Sequence, residues 1–553
     1  MPSLPLASCG TSAPTEPAAT PAHAPIPAAD TGFVYEPTVQ LGHDETPYRL
    51  LSREHVSTVA LDGKTYLRVA PEALRLLART AFNDISFYLR PAHLRRLREE
   101  LADPEASDND RFVIYTHLQN AVTASAGLLP TCQDTVTAII MGKKGQRVLT
   151  NADDAIDFKV VTAPLTSPER ANWRDLIPYR PGTYVIDLEL YSGHMVRLER
   201  ANALPSIVIR DLATGNDHAI AFDEAAYSLD THGGYEFDTT TLRFGYSSMT
   251  TPAEVFDYDM ATRERILRKR QEIPSGHNPA DYVTTRIMAK ANDGAEVPVS
   301  ILHRKDFARD GKAPLLLYGY GSYGHAIPAS FSANRLSLVD RGFVYAIAHI
   351  RGGSDKGWGW YLDGKREKKT NSFDDFAACG RALIAANYTS AKKIVGHGGS
   401  AGGMLMGAAA NRSGDLFAGI IAEVPFVDVL NTMLDHSLPR TPPEWPECGN
   451  PTESAGDFKT ILSYSPYDNL AARAYPAILA MGGLTDPRVT YWEPAKWIAR
   501  LRATMTSGGP VLLRTNMGAG HGGASGRFDR LDEVAIGYAF ALWAVGLVDK
   551  GGA

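Results

Sequence analysis

Ser400 lies in a segment whose residue types and spacing suit a nucleophile. Residues 398–403 read GGSAGG, which contains the pattern G-x-S-x-G. The apolar pair at 394–395 predicts the end of a buried strand, and residues 404–410 favour a helix. In a nucleophile elbow, such a strand–turn–helix raises the serine hydroxyl above the edge of a sheet. The alternative is a serine that only caps a glycine-rich helix. The flanking strand and helix favour the nucleophile.

Two later residues suit the acid and the base that an activated serine needs. Asp486 follows a predicted strand at 477–481, and His521 follows another at 511–514, within a glycine-lined loop. Taken singly, Asp486 could be a turn residue before Pro487, and His521 an ordinary loop histidine. Together with Ser400 they have the chain order of α/β-hydrolases, each placed after a strand. The sequence therefore predicts a triad of Ser400, Asp486 and His521.

Acyl-transfer chemistry also needs hydrogen-bond donors for a developing oxyanion. The backbone N–H of Ala401, next to the nucleophile, is one candidate, and residues 318–324 offer a tyrosine hydroxyl at the end of a predicted strand. The same segment matches G-x-G-x-x-G, a dinucleotide fingerprint. The residues after Gly324 include Pro328 and do not predict a helix, so we expect no cofactor.

Two kinds of periodicity predict the elements that position these residues. Residues 286–553 alternate buried strands with helices, which predicts an α/β domain with a doubly wound parallel sheet. Residues 149–285 have a period of two. Segments 206–215 and 254–263 share a pattern about 48 residues apart, a spacing typical of propeller blades. The expected fold is an α/β-hydrolase domain preceded by a partial β-propeller of two to three blades.

The N-terminal part differs in composition. Residues 1–32 are rich in Ala and Pro and predict a disordered tail without an apparent secretory signal. Residues 33–148 predict a small mixed segment with helices at 71–79 and 93–101. The formal net charge of −6 gives no electrostatic case for nucleic acid. No apolar run reaches the roughly 18 residues of a membrane helix. Four cysteines fit a reducing compartment, so a cytoplasmic location is expected.

Several motifs resemble the prolyl oligopeptidase family, specifically its oligopeptidase B branch. They lie at 317–324, 349–353, 398–403, 423–428, 484–489 and 518–522, and the resemblance extends from about 149 to 553. It implies Ser400 as nucleophile, Asp486 as acid and His521 as base. It also implies that Tyr320 supplies the oxyanion hydroxyl and that Arg488 binds a substrate backbone carbonyl. The implied substrates are short peptides, screened by the propeller.

The oligopeptidase B branch prefers cleavage after Arg or Lys. Residues 442–451 correspond to its acidic specificity loop, in which Glu444 matches one pocket acid. Pro446 stands where many members have a second Glu. The resemblance implies Glu444 as the residue that binds the basic side chain, and the alternative is a solvated loop acid.

A second resemblance concerns residues 33–148, whose motifs at 89–94, 103–112, 129–135 and 141–146 are similar to class I iron–sulfur fumarases. There, the cysteine that matches Cys132 is one of three cluster ligands. One thiolate cannot hold a cluster that needs about three or four, so no metal is expected. The first hypothesis is a serine oligopeptidase, with an esterase open within that class. The others are a catalytically impaired fusion or truncation product and, third, an iron–sulfur hydratase remnant.

Overall fold

The computed structural model describes residues 50–61, 64–104, 106, 108–126, 148–149, 159–164, 170–233, 236–525 and 527–548. The predicted tail at 1–32, Cys132 and the motifs at 129–135 and 141–146 lie outside the described residues. The chain divides into two compact units, Met1–Ala152 and Asp153–Ala553.

In its described residues, the first unit contains a three-stranded sheet in the order β1-β2-β3 and three helices. Both predicted helices are present, and each begins at a proline, because a fixed φ and a missing N–H suit the first turn. The elements are β1 (Val56–Leu61), β2 (Lys64–Val69), α1 (Pro71–Phe87), α2 (Pro91–Leu101), α3 (Asp108–Ser125) and β3 (Val148–Leu149).

The second unit begins with a two-stranded antiparallel sheet and two four-stranded antiparallel meanders, in the orders β6-β7-β8-β9 and β10-β11-β12-β13. Its strands are β4 (Val160–Thr162), β5 (Arg174–Ile177), β6 (Thr183–Leu190), β7 (His194–Ala201), β8 (Leu204–Asp211), β9 (Asp217–Ala219), β10 (Tyr227–His232), β11 (Thr241–Ser248), β12 (Glu254–Asp259) and β13 (Arg265–Arg270). Four-stranded meanders are the units of a β-propeller, so the blade prediction is confirmed.

The pattern shared by segments 206–215 and 254–263 corresponds to the same kind of turn, which follows β8 in one blade and β12 in the other. Asp211 at the end of β8 accepts hydrogen bonds from the N–H groups of Ala213 and Thr214 through one oxygen, both at 2.8 Å. Asp259 at the end of β12 accepts from the same positions, at 3.0 and 2.6 Å. An aspartate that bonds its own backbone in this way fixes the turn between neighbouring strands.

The rest of the unit is an eight-stranded sheet in the order β14-β15-β17-β16-β18-β19-β21-β23. Six strands are parallel, as predicted, and an antiparallel hairpin of β14 and β15 forms one edge. The strands are β14 (Tyr282–Lys290), β15 (Glu296–Arg304), β16 (Leu315–Tyr318), β17 (Val344–Ala348), β18 (Ile394–Gly399), β19 (Phe417–Glu423), β20 (Ala474–Tyr475), β21 (Ala477–Gly483), β22 (Ser507–Gly508) and β23 (Val511–Asn516), with β20 and β22 pairing separately.

Helices connect the parallel strands and cover both faces of the sheet. Neighbouring residues of one strand face opposite sides: Leu317 belongs to one buried cluster with Phe376, and Leu316 belongs to the other with Phe540. This burial on both faces is typical of parallel sheets. The helices are α4 (Ala333–Val339), α5 (Trp358–Leu362), α6 (Thr370–Ala385), α7 (Ala401–Ser413), α8 (Val429–Leu434), α9 (Thr441–Cys448), α10 (Ala455–Tyr464), α11 (Trp492–Thr504) and α12 (Arg527–Ala544).

Candidate active site

Ser400 occupies a strained turn between β18 and α7. Its φ and ψ are 58° and −119°, a combination that a non-glycine residue rarely adopts. Its N–H donates to the Glu423 carbonyl at 2.8 Å, and its own carbonyl accepts from Gly403 at 2.8 Å. A Cβ at Gly403 would lie 2.4 Å from the Pro425 Cα, so the backbone can pass here only as glycine. The turn has the geometry that the G-x-S-x-G pattern predicts.

His521 joins Ser400 to Asp486. Its Nε2 lies 3.1 Å from the Ser400 Oγ, and its Nδ1 lies 2.7 Å from the Asp486 Oδ2. Asp486 is buried, and its other oxygen accepts from the N–H groups of Arg488 and Val489 at 2.8 and 3.0 Å. His521 is 35 positions from Asp486 and 121 positions from Ser400 in the sequence, and the structure brings the three side chains into one line of contacts.

The hydrogen-bond partners fix the protonation pattern of the histidine. An ionised carboxylate only accepts, so Nδ1 must carry the proton that it donates to Asp486. In neutral His521 the other nitrogen, Nε2, then has a lone pair that can accept the Ser400 hydroxyl proton. This is the tautomer that a general base for a serine nucleophile requires.

Tyr320 and Ala401 lie beside the serine. Ala401 is the first residue of α7, so its N–H is at a helix N-terminus next to Ser400. Ser400 is among the groups that lower the pKa of Tyr320, so the two side chains lie close together. Burial, followed by the charges of Glu444 and Glu447, raises the pKa of Tyr320 to about 12. The phenol therefore keeps its proton near neutral pH and can donate it to an oxyanion.

Glu444 lies on α9, and not on a loop as the sequence comparison with the acidic specificity loop had suggested. Pro442 and Pro443 fall in the first turn, where a missing N–H costs nothing, whereas Pro446 lies inside the helix and removes one intrahelical donor. Tyr323 donates from its hydroxyl to the Glu444 Oε2 at 2.6 Å. Burial raises the pKa of Glu444 above its ordinary value. Glu444 is a partly buried carboxyl group near Tyr320.

Arg488 lies two residues after Asp486 in the turn that follows β21, and its side chain is exposed. Its positive charge lowers the pKa of both Tyr320 and Glu444, although burial has the stronger, opposite effect. The Arg488 guanidinium therefore lies near both of these side chains. The structure therefore brings all seven predicted site residues to one edge of the sheet.

Two buried residues that the sequence interpretation missed hold this edge together. Glu447 accepts from the Tyr361 hydroxyl at 2.8 Å and from the Tyr323 N–H at 3.1 Å. Lys369, 4.0 Å from Glu447, donates to the Gly321 carbonyl at 2.7 Å and to the Ser322 hydroxyl at 2.6 Å. This pair ties the loop that bears Tyr320 to the helix that bears Glu444. The partners are distant in sequence, so no local pattern could have indicated them.

The described part of the chain holds no group of three or more His, Cys, Asp or Glu side chains that could bind a metal ion. Cys379 and Cys448 are buried free thiols. Among the described helices, none combines the length and the apolar character needed to cross a bilayer.

The eight-stranded sheet and the serine elbow define an α/β-hydrolase fold. The four-stranded blades that precede the sheet in the chain define a propeller domain. Residues 329–547 match the model of the "Prolyl oligopeptidase family", and residues 106–271 match "Prolyl oligopeptidase, N-terminal beta-propeller domain". The chain belongs to the prolyl oligopeptidase family, whose members are serine-type peptidases. The propeller match begins within the stretch that resembles class I fumarase, and that second resemblance stays a prediction.

Individual relatives agree with the family. The chain is 48% identical to dipeptidyl aminopeptidase BI of Pseudoxanthomonas mexicana over 405 residues, which cover 73% of this chain and 56% of the relative. It is 39% identical to protease 2 of Moraxella lacunata, over 72% of this chain and 57% of the relative. Oligopeptidase B from Leishmania major superposes with a TM-score of 0.66 at 36% identity, over 70% of this chain and 55% of that one. The chain thus spans little more than half the length of these relatives.

Proposed function

We propose that this chain is a serine oligopeptidase that hydrolyses short peptides on the carboxyl side of Arg or Lys, with Ser400, His521 and Asp486 as its catalytic residues. The observation that carries the proposal is the line of contacts from Asp486 through His521 to Ser400, at 2.7 and 3.1 Å. Family membership supports peptide chemistry. The partly buried acid at Glu444 supports a basic side chain in the substrate.

In the proposed reaction, the His521 Nε2 takes the proton from the Ser400 Oγ as this oxygen bonds to the scissile carbonyl carbon. Asp486 stabilises the imidazolium that forms. The electron pair of the carbonyl bond moves to its oxygen, which accepts hydrogen bonds from the Ala401 N–H and the Tyr320 hydroxyl. The carbon–nitrogen bond then breaks, and His521 gives its proton to the leaving amine. Water, deprotonated by His521, hydrolyses the acyl-enzyme and restores Ser400.

Two residues are proposed to hold the substrate. Glu444 binds the guanidinium or ammonium group of the residue before the cleaved bond, because a carboxylate makes charge-assisted hydrogen bonds with such groups. Arg488 donates to a backbone carbonyl of the peptide. From the cysteine content alone, we further propose a cytoplasmic location. We also propose domain limits of 33–148, 149–285 and 286–553.

The name of one relative favours a second mode of cleavage. Dipeptidyl aminopeptidase BI is 48% identical to this chain, so the same triad can be proposed to release dipeptides from a free N-terminus. The two modes place the same chemistry at different positions in a peptide. They differ in whether the substrate needs a free α-amino group.

A panel of matched peptide amides tests both the preference for Arg or Lys and the mode of cleavage. The panel holds Arg, Lys or citrulline before the scissile bond, since citrulline has the shape of Arg without its charge. Each peptide is made with a free and with an acetylated N-terminus. We expect turnover after Arg and Lys, with citrulline at least about tenfold poorer. Equal turnover of Arg and citrulline would contradict the basic preference. Cleavage confined to free N-termini would favour the dipeptidyl mode.

A further inference from the structure

The loop that carries His521 has little intrinsic order. Four of its residues are glycines, at 518, 520, 522 and 523, and glycine loses more conformational freedom on folding than any other residue. Within the loop, the backbone forms a short-range hydrogen bond from the Gly523 N–H to the Gly520 carbonyl at 3.1 Å, and the Ala519 carbonyl accepts one from the Thr485 N–H outside the loop at 3.2 Å. The position of the imidazole must therefore depend on groups outside the loop.

Glu533, on the second turn of α12, contacts both ends of this loop. Its Oε1 accepts from the Asn516 Nδ2 at 2.8 Å, at the end of β23, before the loop. Its Oε2 accepts from the Ala524 N–H at 3.1 Å, three residues after His521. One carboxylate thus fixes the separation of the two ends of the loop.

Arg530 extends the contact to the middle of the loop. Its Nη1 donates to the Glu533 Oε2 at 3.1 Å and to the Gly522 carbonyl at 2.9 Å, one residue after the histidine. The backbone approaches this pair closely at Gly523, where a Cβ would lie 2.2 Å from the Arg530 Nη1 and 2.3 Å from the Glu533 Oε2. The φ of Gly523 is +76°, so both space and conformation require glycine there.

We propose that Glu533 is a positioning residue for catalysis, which holds the His521 imidazole in line with Ser400 through the ends of its loop. The inference rests on the proposed function. Glu533 itself hydrogen-bonds the loop backbone, Asn516 and Arg530, so its effect on the reaction passes through the loop. A small displacement of a reacting group is enough to lower the rate strongly: about 1 Å can cost about 100-fold.

The test compares Glu533→Ala and Glu533→Gln with Asp532→Ala, an exposed acid one residue earlier on the same helix. We expect Glu533→Ala to lower kcat about 10- to 100-fold with KM within about twofold, because substrate contacts are intact and the base is displaced. Glu533→Gln keeps the volume and one acceptor oxygen, so we expect partial recovery of kcat. Asp532→Ala should match the wild type.

Hydrogen–deuterium exchange gives a readout that does not need turnover. Amides of residues 517–525 should exchange faster in Glu533→Ala, while those of β18 and α7 stay protected. An unchanged kcat, or unchanged exchange in this loop, in a folded Glu533→Ala would overturn the inference. Failure of the proposed function can be told apart from failure of this inference. If the chain is not a peptidase, the wild type turns over no peptide, while Glu533→Ala still increases exchange in the loop.

Discussion

Tyr323 and Glu444 are joined by a hydrogen bond of 2.6 Å, which links the loop that follows β16 to α9. The phenol donates to one carboxylate oxygen and thereby fixes the orientation of the acid. A carboxylate can accept several hydrogen bonds through its two oxygens, so a substrate guanidinium can bind beside Tyr323. The acid that the sequence comparison indicated is therefore held in place before any substrate arrives.

Replacing Glu444 by Gln should lower kcat/KM for an Arg peptide by about 10- to 100-fold, since a hydrogen bond to a charged group contributes about 1.5–3 kcal/mol. The citrulline peptide should lose much less, because it brings no charge to the site. Glu453→Gln, a change at an exposed acid in the turn before α10, is the matched control. Equal losses for Arg and citrulline peptides would place the basic-residue site elsewhere.

The preference for Arg should depend on pH through Glu444. Burial raises the pKa of this carboxyl group, so it gains its proton at a higher pH than an exposed Glu. The protonated form carries no charge, so the ratio of kcat/KM for Arg over citrulline should fall as the pH falls through that pKa. Taking the ratio at each pH removes the pH effects that the two substrates share. A ratio that stays constant down to pH 4 in the wild type would contradict this role.

Tyr320→Phe should lower kcat by about 100- to 1,000-fold and change KM little, since removal of one oxyanion donor has effects of this size. The hydroxyl has a pKa of about 12 and is protonated throughout the working range, so the loss should not vary with pH below about 9. Tyr179→Phe, at an exposed tyrosine, controls for the loss of a hydroxyl. A rise in KM with kcat unchanged would instead assign Tyr320 to substrate binding.

A second Ser–His–Asp chain lies in the core and should be inert. The Ser300 Oγ lies 2.9 Å from the His349 Nε2, and the His349 Nδ1 lies 3.0 Å from the Asp355 Oδ1. All three residues are at most 2% exposed, so no substrate can reach the hydroxyl. Ser300→Ala should keep kcat within about twofold, as judged by peptide hydrolysis. Selective loss of kcat in a folded Ser300→Ala would contradict this interpretation.

The central parallel strands could be predicted because they are buried on both faces and read as continuous apolar runs. β21 and β23 begin at their predicted residues, 477 and 511, and each extends two residues beyond its predicted end. The hairpin of β14 and β15 was not predicted as such. It mixes Thr284, Thr285 and Arg286 with apolar residues and contains Pro298, so neither its period nor its composition indicates a regular pair of strands.

The reacting residues could be predicted from local patterns, whereas their supports could not. Ser400, Asp486 and His521 each follow a strand, and glycines lie close to each of them in the sequence. Glu447 and Lys369 act through contacts with residues 47 to 124 positions away, and Glu533 lies on a helix with no motif of its own. Such contacts depend on how the elements pack, which a single sequence does not encode in any local spacing.

Labelling with a serine-directed fluorophosphonate, followed by intact-mass measurement, tests the catalytic role of Ser400 most directly. The wild type should gain one adduct, located on the peptide that contains Ser400, because the reagent needs an activated hydroxyl and an oxyanion site. Ser400→Ala, with an unchanged circular dichroism spectrum, should gain none. No adduct on folded wild-type protein, or equal labelling of Ser400→Ala, would contradict the proposed triad.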